Sequence, residues 1–375
     1  MTRGKMRVLL TGGGTGGHIY PALAVAKGIK GKYPGSEFFY IGTARGLEAD
    51  IVPKAGLPFQ AITAEGLTRK ISWPALRAGL KSIKGSAQAW QIIRRFKPHV
   101  VVGTGGYVCG PVVITAALLG IPTLIHEQNA YPGITNKLLA RFVDKICITF
   151  PESAKYFRTK AELVHTGLPI RPEILQVSRE EGARLLNLDP GKFNVLVVGG
   201  SQGAQSINRA VVGMYPFVQS RSDLNLLHLT GKNGYGEVCQ MVKEQGIDLG
   251  ITGNITIKPY LYEMENALAA ADLVISRAGA SFLAEVMAKG LPAILVPYPY
   301  AAENHQEYNA RALEKNGAAK VILENDFTSQ RLLEVMELVL TNPAERLAMA
   351  EASRKMGRPG ALQHIVECVT ALAGI

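Results

Sequence analysis

The chain has 375 residues, is 47% hydrophobic and only 19% charged, a composition that excludes a disordered polymer and suffices for two domains. Cys109, Cys147, Cys239 and Cys368 are scattered without a C-x-x-C pair, which argues against a zinc site or disulfide framework; no signal-peptide pattern and no apolar run near the roughly 20 residues of a membrane span is present, so a cytoplasmic location is expected. The net charge of +11 is uneven: residues 1–165 hold 22 Lys and Arg against 8 Asp and Glu, the rest hold 19 against 22, and the first half therefore calls for an anionic partner such as a membrane surface, a nucleic acid or a polyanionic substrate.

The first apolar run, Val8-Leu9-Leu10, reads as a strand that enters the loop Thr11-Gly12-Gly13-Gly14-Thr15-Gly16-Gly17-His18. Glycine lets backbone approach a bulky or anionic group closely, and a helix starting just after would aim unpaired N–H groups at it. His18 then sits where a proton can be moved. Gly12, Gly14 and Gly17 also fit the dinucleotide pattern G-x-G-x-x-G. The acid that pattern wants about 20 residues on is not clear, because Glu37 falls inside the next strand-like run, Glu37–Ile41. A sugar-nucleotide enzyme would carry a similar loop.

From Arg69 to Lys97 the signal changes. Trp73, Leu76, Leu80, Ile83, Ala87, Trp90 and Ile93 recur at steps of three and four, the spacing of an amphipathic helix. Eight basic residues accompany them, with no acid between Glu65 and Glu127. Such a stripe fits either an ordinary core helix with a basic outer face or docking on anionic lipid. Nucleic acid is not expected, since no nucleic-acid-binding motif accompanies the charge.

The strand Val100–Gly103 leads into a second glycine loop, Gly103–Pro111, with Gly105, Gly106 and Tyr107 at its centre. A pyrophosphate-bearing ligand would use two such loops. The strand Thr123–His126 ends in His126-Glu127-Gln128-Asn129, where Glu127 is the one local carboxylate. It is a candidate base, a partner for a basic group or a contact for a sugar hydroxyl. After the strand Lys145–Thr149, the stretch Gly167-Leu168-Pro169-Ile170-Arg171-Pro172 breaks the pattern and marks a domain boundary.

The second half repeats the design. Val195–Val198 runs into Gly199-Gly200-Ser201-Gln202-Gly203-Ala204, and strands follow at Leu224–Leu229, Ile255–Lys258, Leu273–Ser276, Ala293–Val296 and Ala319–Ile322. Ser276-Arg277-Ala278-Gly279-Ala280-Ser281-Phe282-Leu283-Ala284-Glu285 is a strand end, a turn and a helix start, with Glu285 placed to accept from ribose hydroxyls. Pro297–Glu307 contributes His305 and Gln306 to read sugar hydroxyls. Strands alternating with helices predict parallel sheets covered on both faces, in two doubly wound Rossmann-like α/β domains facing across a cleft that holds ligand. The domains are expected at 1–167 and 168–357, with a helix at 358–375 returning to the first.

In order and spacing, Thr11–His18, Gly103–Pro111, His126–Asn129, Val198–Ala204, Arg277–Glu285 and His305-Gln306 resemble the MurG family of N-acetylglucosaminyltransferases over nearly the whole chain. The resemblance implies a GT-B fold and inverting transfer of N-acetylglucosamine from UDP-GlcNAc to the C4 hydroxyl of an undecaprenyl-pyrophosphoryl-N-acetylmuramyl-pentapeptide. It places the donor mainly on the second domain and the lipid-linked acceptor on the first. It implies peripheral attachment to the cytoplasmic face of the membrane through Arg69–Lys97, and no metal or other cofactor. By the family pattern His18 is the general base; Glu127 stays a second catalytic candidate from its place in the His126–Asn129 loop. Thr15, Gly16 and Gly17 lie near donor phosphates and sugar, Asn129 contacts N-acetylglucosamine, and Arg171 and Ser201, with Gln202 and Gly203, hold the diphosphate region. Leu261 lines the uracil pocket, Ala280 to Glu285 hold phosphate and ribose beside Arg277, and Gln306 reads the sugar. The sequence departs from the family at Ala278, usually serine, at Leu168, usually asparagine, and at His305, glutamine in some members. A UDP-GlcNAc 2-epimerase and a non-enzymatic lipid- or nucleotide-binding protein are the rival readings.

Overall fold

Alternating apolar strands and helices build two separate parallel sheets in this computed structural model, which describes residues 5–65, 73–200, 202–250 and 253–375, with backbone alone over 73–80. The chain forms two compact units, 1–169 with 359–375, and 170–358.

In the first unit the elements run β1 (Arg7–Thr11), α1 (Gly16–Lys32), β2 (Glu37–Gly42), α2 (Glu48–Lys54), β3 (Phe59–Ala61), α3 (Trp73–Phe96), β4 (Val100–Gly103), α4 (Cys109–Leu118), β5 (Thr123–Glu127), α5 (Ile134–Leu139), β6 (Lys145–Ile148) and β7 (Glu162–His165). The sheet order is β3-β2-β1-β4-β5-β6-β7, and every pairing is parallel. Parallel strands buried on both faces need continuous apolar sequence, which Val8-Leu9-Leu10 and Val100-Val101-Val102 supply. Val8 and Leu10 pack on Ile19, Val25 and Ile29 of α1, whereas Leu9 packs on the opposite side with Ile92 and Ile93 of α3 and Val112 of α4.

The second unit continues with α6 (Arg179–Leu185), β8 (Phe193–Val198), α7 (Gln205–Val212), α8 (Tyr215–Gln219), β9 (Leu224–Leu229), α9 (Tyr235–Glu244), β10 (Ile255–Lys258), α10 (Met264–Ala270), β11 (Leu273–Ser276), α11 (Ala280–Lys289), β12 (Ala293–Leu295), α12 (His305–Lys315), β13 (Ala319–Val321), α13 (Ser329–Thr341) and α14 (Pro343–Met356). Its sheet is ordered β10-β9-β8-β11-β12-β13, again all parallel. The last helix, α15 (Ala361–Leu372), belongs to the first unit, where Ile365, Val366 and Val369 complete the core against α1.

Each sheet reverses its direction of growth once, between β1 and β4 in the first unit and between β8 and β11 in the second. In open α/β sheets, ligands bind beyond the strand ends at that reversal. All four of the strongest loop motifs follow these strands.

Two features differ from the sequence reading. Strands β3 and β7 were not expected; both are short edge strands, Phe59-Gln60-Ala61 and Glu162-Leu163-Val164-His165, only partly buried and so without a full apolar run. Helix α3 does not bury its whole apolar stripe. Ala89, Ile92 and Ile93 enter the core, while Ile83 and Trp90 are 69% and 45% exposed. Arg69 and Lys70, and the side chains of Trp73, Leu76, Arg77 and Leu80, lie outside the described residues.

Candidate active site

The first unit gathers the ends of three neighbouring strands, β1, β4 and β5. Helix α1 begins at Gly16 with extended Thr15 before it, no side-chain cap and no acid in its first turn. Its leading amides and positive dipole end are therefore open to an anion. The rest of the glycine loop is not open in this way. The Gly13 amide donates to the Gly105 carbonyl (3.2 Å), and the Gly14 amide to Glu48 Oε2 (3.1 Å).

The His18 imidazole is half-buried, with Nδ1 2.9 Å from the Gly13 carbonyl oxygen and 3.4 Å from Thr15 Oγ1. A carbonyl only accepts, so this contact assigns the proton to Nδ1 and leaves Nε2 with its lone pair. Burial pushes the His18 pKa below its usual value, opposed by the Gly13 carbonyl and the Glu48 charge. The ring is thereby held neutral, as a base requires.

The second glycine loop packs on this histidine. A methyl group at Gly105 would lie within 2.7 Å of the imidazole Cδ2 and 2.9 Å of Nε2, and one at Gly106 would sit 2.3 Å from the Gly13 carbonyl oxygen. Both residues also hold positive φ, 108° and 84°. Only glycine satisfies the close approach and the left-handed backbone together. Thr104 Oγ1 donates to the His18 carbonyl (2.6 Å), and Gln128 Nε2 donates to the Thr104 carbonyl (2.8 Å). Hydrogen bonds thus tie the three strand ends to one another. Tyr107 is partly exposed on the same loop.

Glu127 is buried and has both oxygens committed. Oε1 accepts from the amide and side chain of Asn129, and Oε2 from the Gly133 amide and Asn136 Nδ2. Burial raises its pKa against these four donors. These four contacts shape the loop that carries half-buried Asn129.

Glu48 went unnoticed in the sequence. It is fully buried at the start of α2, and Oε1 accepts from the Thr43 amide (2.9 Å) and hydroxyl (2.6 Å) while Oε2 holds Gly14. Its signal was faint: an acid opening a short helix ordinarily serves the helix dipole. The nearby Gly42, Gly46 and Gly13, each without room for a methyl group beside this carboxylate, were the available clue.

The second unit holds a cavity of about 900 Å³, a size suited to a nucleotide-sugar. Arg171, Gln202, Gly203, Leu261, Arg277, Phe282, Glu285 and Gln306 line it, so eight sequence-selected residues converge there. Ser201 lies outside the described residues. Helix α11 starts at Ala280 after extended Gly279, with no acid in its first turn, so the first amides, from Ala280 to Phe282, are free of intrahelical partners. The Leu283 side chain is fully buried and its amide bonds back to the Gly279 carbonyl, so it does not line the cavity. Ala284 is likewise buried and absent from the cavity wall.

Arg277 touches the cavity, but its terminal nitrogens serve the protein. One donates to Glu324 (2.6 Å) and the carbonyls of Val296 and Pro297, the other to Ser206 Oγ (2.9 Å). It braces the wall from behind, with Glu324 as a partner the sequence did not suggest. Gln306 Oε1 accepts from the Ala278 and Tyr298 amides, which fixes the amide so that its NH₂ group remains to donate. Arg171 Nε and Nη2 grip the two oxygens of Glu285 at 2.8 and 2.9 Å. Tyr260 and Tyr262 stand beside Leu261 at the cavity edge with Lys232 over both rings, a feature the sequence reading also missed. Among the described residues no group of three or more His, Cys, Asp or Glu is arranged to hold a metal.

This geometry agrees with what the chain is similar to. The glycosyltransferase family 28 N-terminal domain matches residues 8–148 and the glycosyltransferase family 28 C-terminal domain matches residues 194–365. The UDP-N-acetylglucosamine–N-acetylmuramyl-(pentapeptide) pyrophosphoryl-undecaprenol N-acetylglucosamine transferase of Moorella thermoacetica is 54% identical over 97% of this chain and 98% of its own length. The protein of the same name from Desulforamulus reducens is 52% identical over the same shares. Among solved structures, Acinetobacter baumannii MurG aligns with a TM-score of 0.79 at 31% identity, covering 98% of this chain and 99% of that one. The calicheamicin glycosyltransferase CalG4, at 17% identity, a TM-score of 0.67 and 99% coverage of both chains, shares the fold.

Proposed function

The chain belongs to glycosyltransferase family 28, in its MurG branch, and on that premise we propose how its residues carry the reaction. The protein is a GT-B enzyme that moves N-acetylglucosamine from UDP-GlcNAc to undecaprenyl-pyrophosphoryl-N-acetylmuramyl-pentapeptide, the step from lipid I to lipid II in peptidoglycan synthesis.

In our reading the acceptor's C4 hydroxyl attacks the anomeric carbon from the face opposite UDP. The new C–O bond forms as the bond to the diphosphate oxygen breaks, through an oxocarbenium-like transition state. His18 Nε2 takes the hydroxyl proton. The observation that carries this assignment is the Nδ1 contact with the Gly13 carbonyl, which leaves Nε2 as the free basic nitrogen of a neutral ring. A positioned base contributes on the order of 10²–10⁴-fold.

The donor's uracil takes the Leu261 pocket and its ribose the Glu285 carboxylate. The departing diphosphate gains charge, which the amides of Ala280, Ser281 and Phe282 and the loop at Gln202 and Gly203 offset without a metal. The Gln306 NH₂ group donates to a sugar oxygen. On the first unit we assign the open start of α1 at Gly16 and Gly17, with the Gly105–Tyr107 loop, to the acceptor pyrophosphate in place of the donor phosphates the family pattern implied, while Asn129, its loop held by Glu127, contacts the donor's N-acetylglucosamine.

We further assign the exposed stripe of α3 to peripheral binding at the cytoplasmic face of the membrane. Ile83, Ala87, Trp90 and Arg94 share one exposed face, with Lys84 and Arg95 beside them and the Arg94 guanidinium 5.2 Å over the Trp90 ring. Apolar side chains ringed by cations suit an anionic lipid surface. No described helix is long and apolar enough to cross a membrane.

Product analysis tests the reaction. With both substrates the enzyme should yield a β-1,4-linked disaccharide on the lipid, seen by mass spectrometry and the anomeric proton coupling. An α-linked product would refute direct displacement, and UDP-ManNAc formed from the donor alone would favour the epimerase.

A further inference from the structure

Arg171 is the second residue of the second unit, in extended conformation just before a short 3₁₀ turn, Pro172–Leu175, that packs on α10 and α11. Its side chain does not reach into the cavity as an isolated cation. Nε and Nη2 hold Glu285 Oε1 and Oε2 in a fork, and Nη1 lies 3.9 Å from Glu265 Oε2 on α10. The charge of Glu173 acts on it as well. A guanidinium engaged by three carboxylates has little charge left to offer a diphosphate.

Glu285 needs this partner. Its side chain is only 11% exposed, and a carboxylate so enclosed is costly unless paired and hydrogen-bonded. Each carboxylate oxygen has about two acceptor positions. The guanidinium fork uses one on each oxygen and fixes the carboxylate plane. One acceptor position per oxygen remains, a pair matched in number and spacing to a vicinal diol. Lysine, a point charge, would hold the carboxylate without fixing its plane.

We propose that Arg171 is a positioning residue that orients Glu285 to receive the 2′- and 3′-hydroxyls of the donor ribose, and that it does not grip the diphosphate. This replaces the diphosphate role implied for Arg171 by family resemblance, and it rests on the reading of Glu285 as the ribose acceptor. Its consequence is specificity: the choice of ribonucleotide over deoxyribonucleotide belongs to the Arg171–Glu285 pair.

The experiment measures the dissociation constants of UDP and 2′-deoxy-UDP by calorimetry for the full-length protein and for Arg171→Lys, Arg171→Met and Glu285→Ala, each checked by thermal melting. A lost hydrogen bond to a charged group is worth about tenfold or more, so the unaltered protein should prefer UDP to 2′-deoxy-UDP by that margin. Arg171→Met should shrink the preference to within about threefold by weakening UDP while sparing 2′-deoxy-UDP. Arg171→Lys, which keeps the charge and protects the fold, should shrink it partway. If the Arg171 variants weaken both ligands equally and keep the preference, the residue grips phosphate and the proposal falls; it falls equally if neither ligand is affected. Glu285→Ala separates the two ideas. Loss of preference there with retention in the Arg171 variants leaves the ribose reading standing and removes Arg171 alone. A preference that survives Glu285→Ala, or none in the unaltered protein, removes the ribose reading itself.

Discussion

His18 illustrates how much chemistry one contact can fix. Because Nδ1 is spent on the Gly13 carbonyl, the free nitrogen and its protonation state follow together. Replacing His18 with alanine should lower turnover at least a hundredfold while UDP affinity and melting temperature stay near their original values; turnover within a few-fold of the original would refute the base assignment. The pH dependence follows from the sign of the shift. A base must be unprotonated to act, and burial lowers the His18 pKa, so the acid limb of kcat/KM should lie below the ordinary histidine value of about 6.5. The Glu48 charge raises that pKa, so Glu48→Gln, which removes the charge and keeps one acceptor oxygen to share between Thr43 and Gly14, should move the limb to still lower pH. An unmoved limb would reduce Glu48 to a structural brace. His18, Glu285 and Gln306 stand out in the sequence because each follows a strand and a turn signal. Glu48 does not, since its contacts are with glycines it meets only after folding, and the burial of Leu283 could not be read because a motif gives neighbours in sequence and not the face of the helix they occupy.

Helix α3 shows the same limit one level up. Steps of three and four marked an amphipathic helix correctly, but the period does not say which side the protein covers. The core takes Ala89, Ile92 and Ile93 and leaves Ile83 and Trp90 outside. Lys81 is paired with Glu65, so the cations left for lipid are better sought at Lys84 and Arg94. Replacing Ile83 and Trp90 with serine should reduce sedimentation with anionic phospholipid vesicles severalfold, and Lys84→Glu with Arg94→Glu should do so most at low salt, where screening is weakest. Turnover of a short-chain soluble acceptor should be nearly unchanged; equal losses on both substrates would place the defect in the fold. The central strands were readable from their unbroken apolar runs, and all six strands of the second sheet were expected. The edge strands β3 and β7 were not, because a strand covered on fewer sides can carry Gln60, Glu162 and His165, which blur the signal.

Besides half-buried His18, each unit encloses one fully buried histidine, His126 in the first and His228 in the second, and acid stability should show it. Burial pushes His126 down to about 4 and His228 to about 3. His228 is held between Tyr215 and Asn208, and His126 against the Gly167 carbonyl. A group whose folded pKa is lowered takes its proton first in the unfolded chain, so stability is full above about 6.5 and declines as pH falls toward the folded values. The slope is on the order of 1 kcal/mol per pH unit for each group, and urea midpoints at pH 7 and pH 5 should differ accordingly. His228→Gln should flatten that dependence for the second unit, whatever it does to stability at pH 7. Above these features stands the division between two doubly wound units, one with the His18 imidazole and an open helix start, the other with a nucleotide-sized cavity. That division was legible from repeated strand–glycine–helix signals, while the cavity's rear bracing through Arg277, Ser206 and Glu324 was not, since its members are far apart in sequence. The rate of UDP release from UDP-GlcNAc, with and without undecaprenyl-pyrophosphoryl-N-acetylmuramyl-pentapeptide, is the most direct test of acceptor-dependent transfer with His18 as base. Release should depend on the acceptor and fall at least a hundredfold in His18→Ala; release at the same rate without acceptor, or none with it, would contradict transfer by this mechanism.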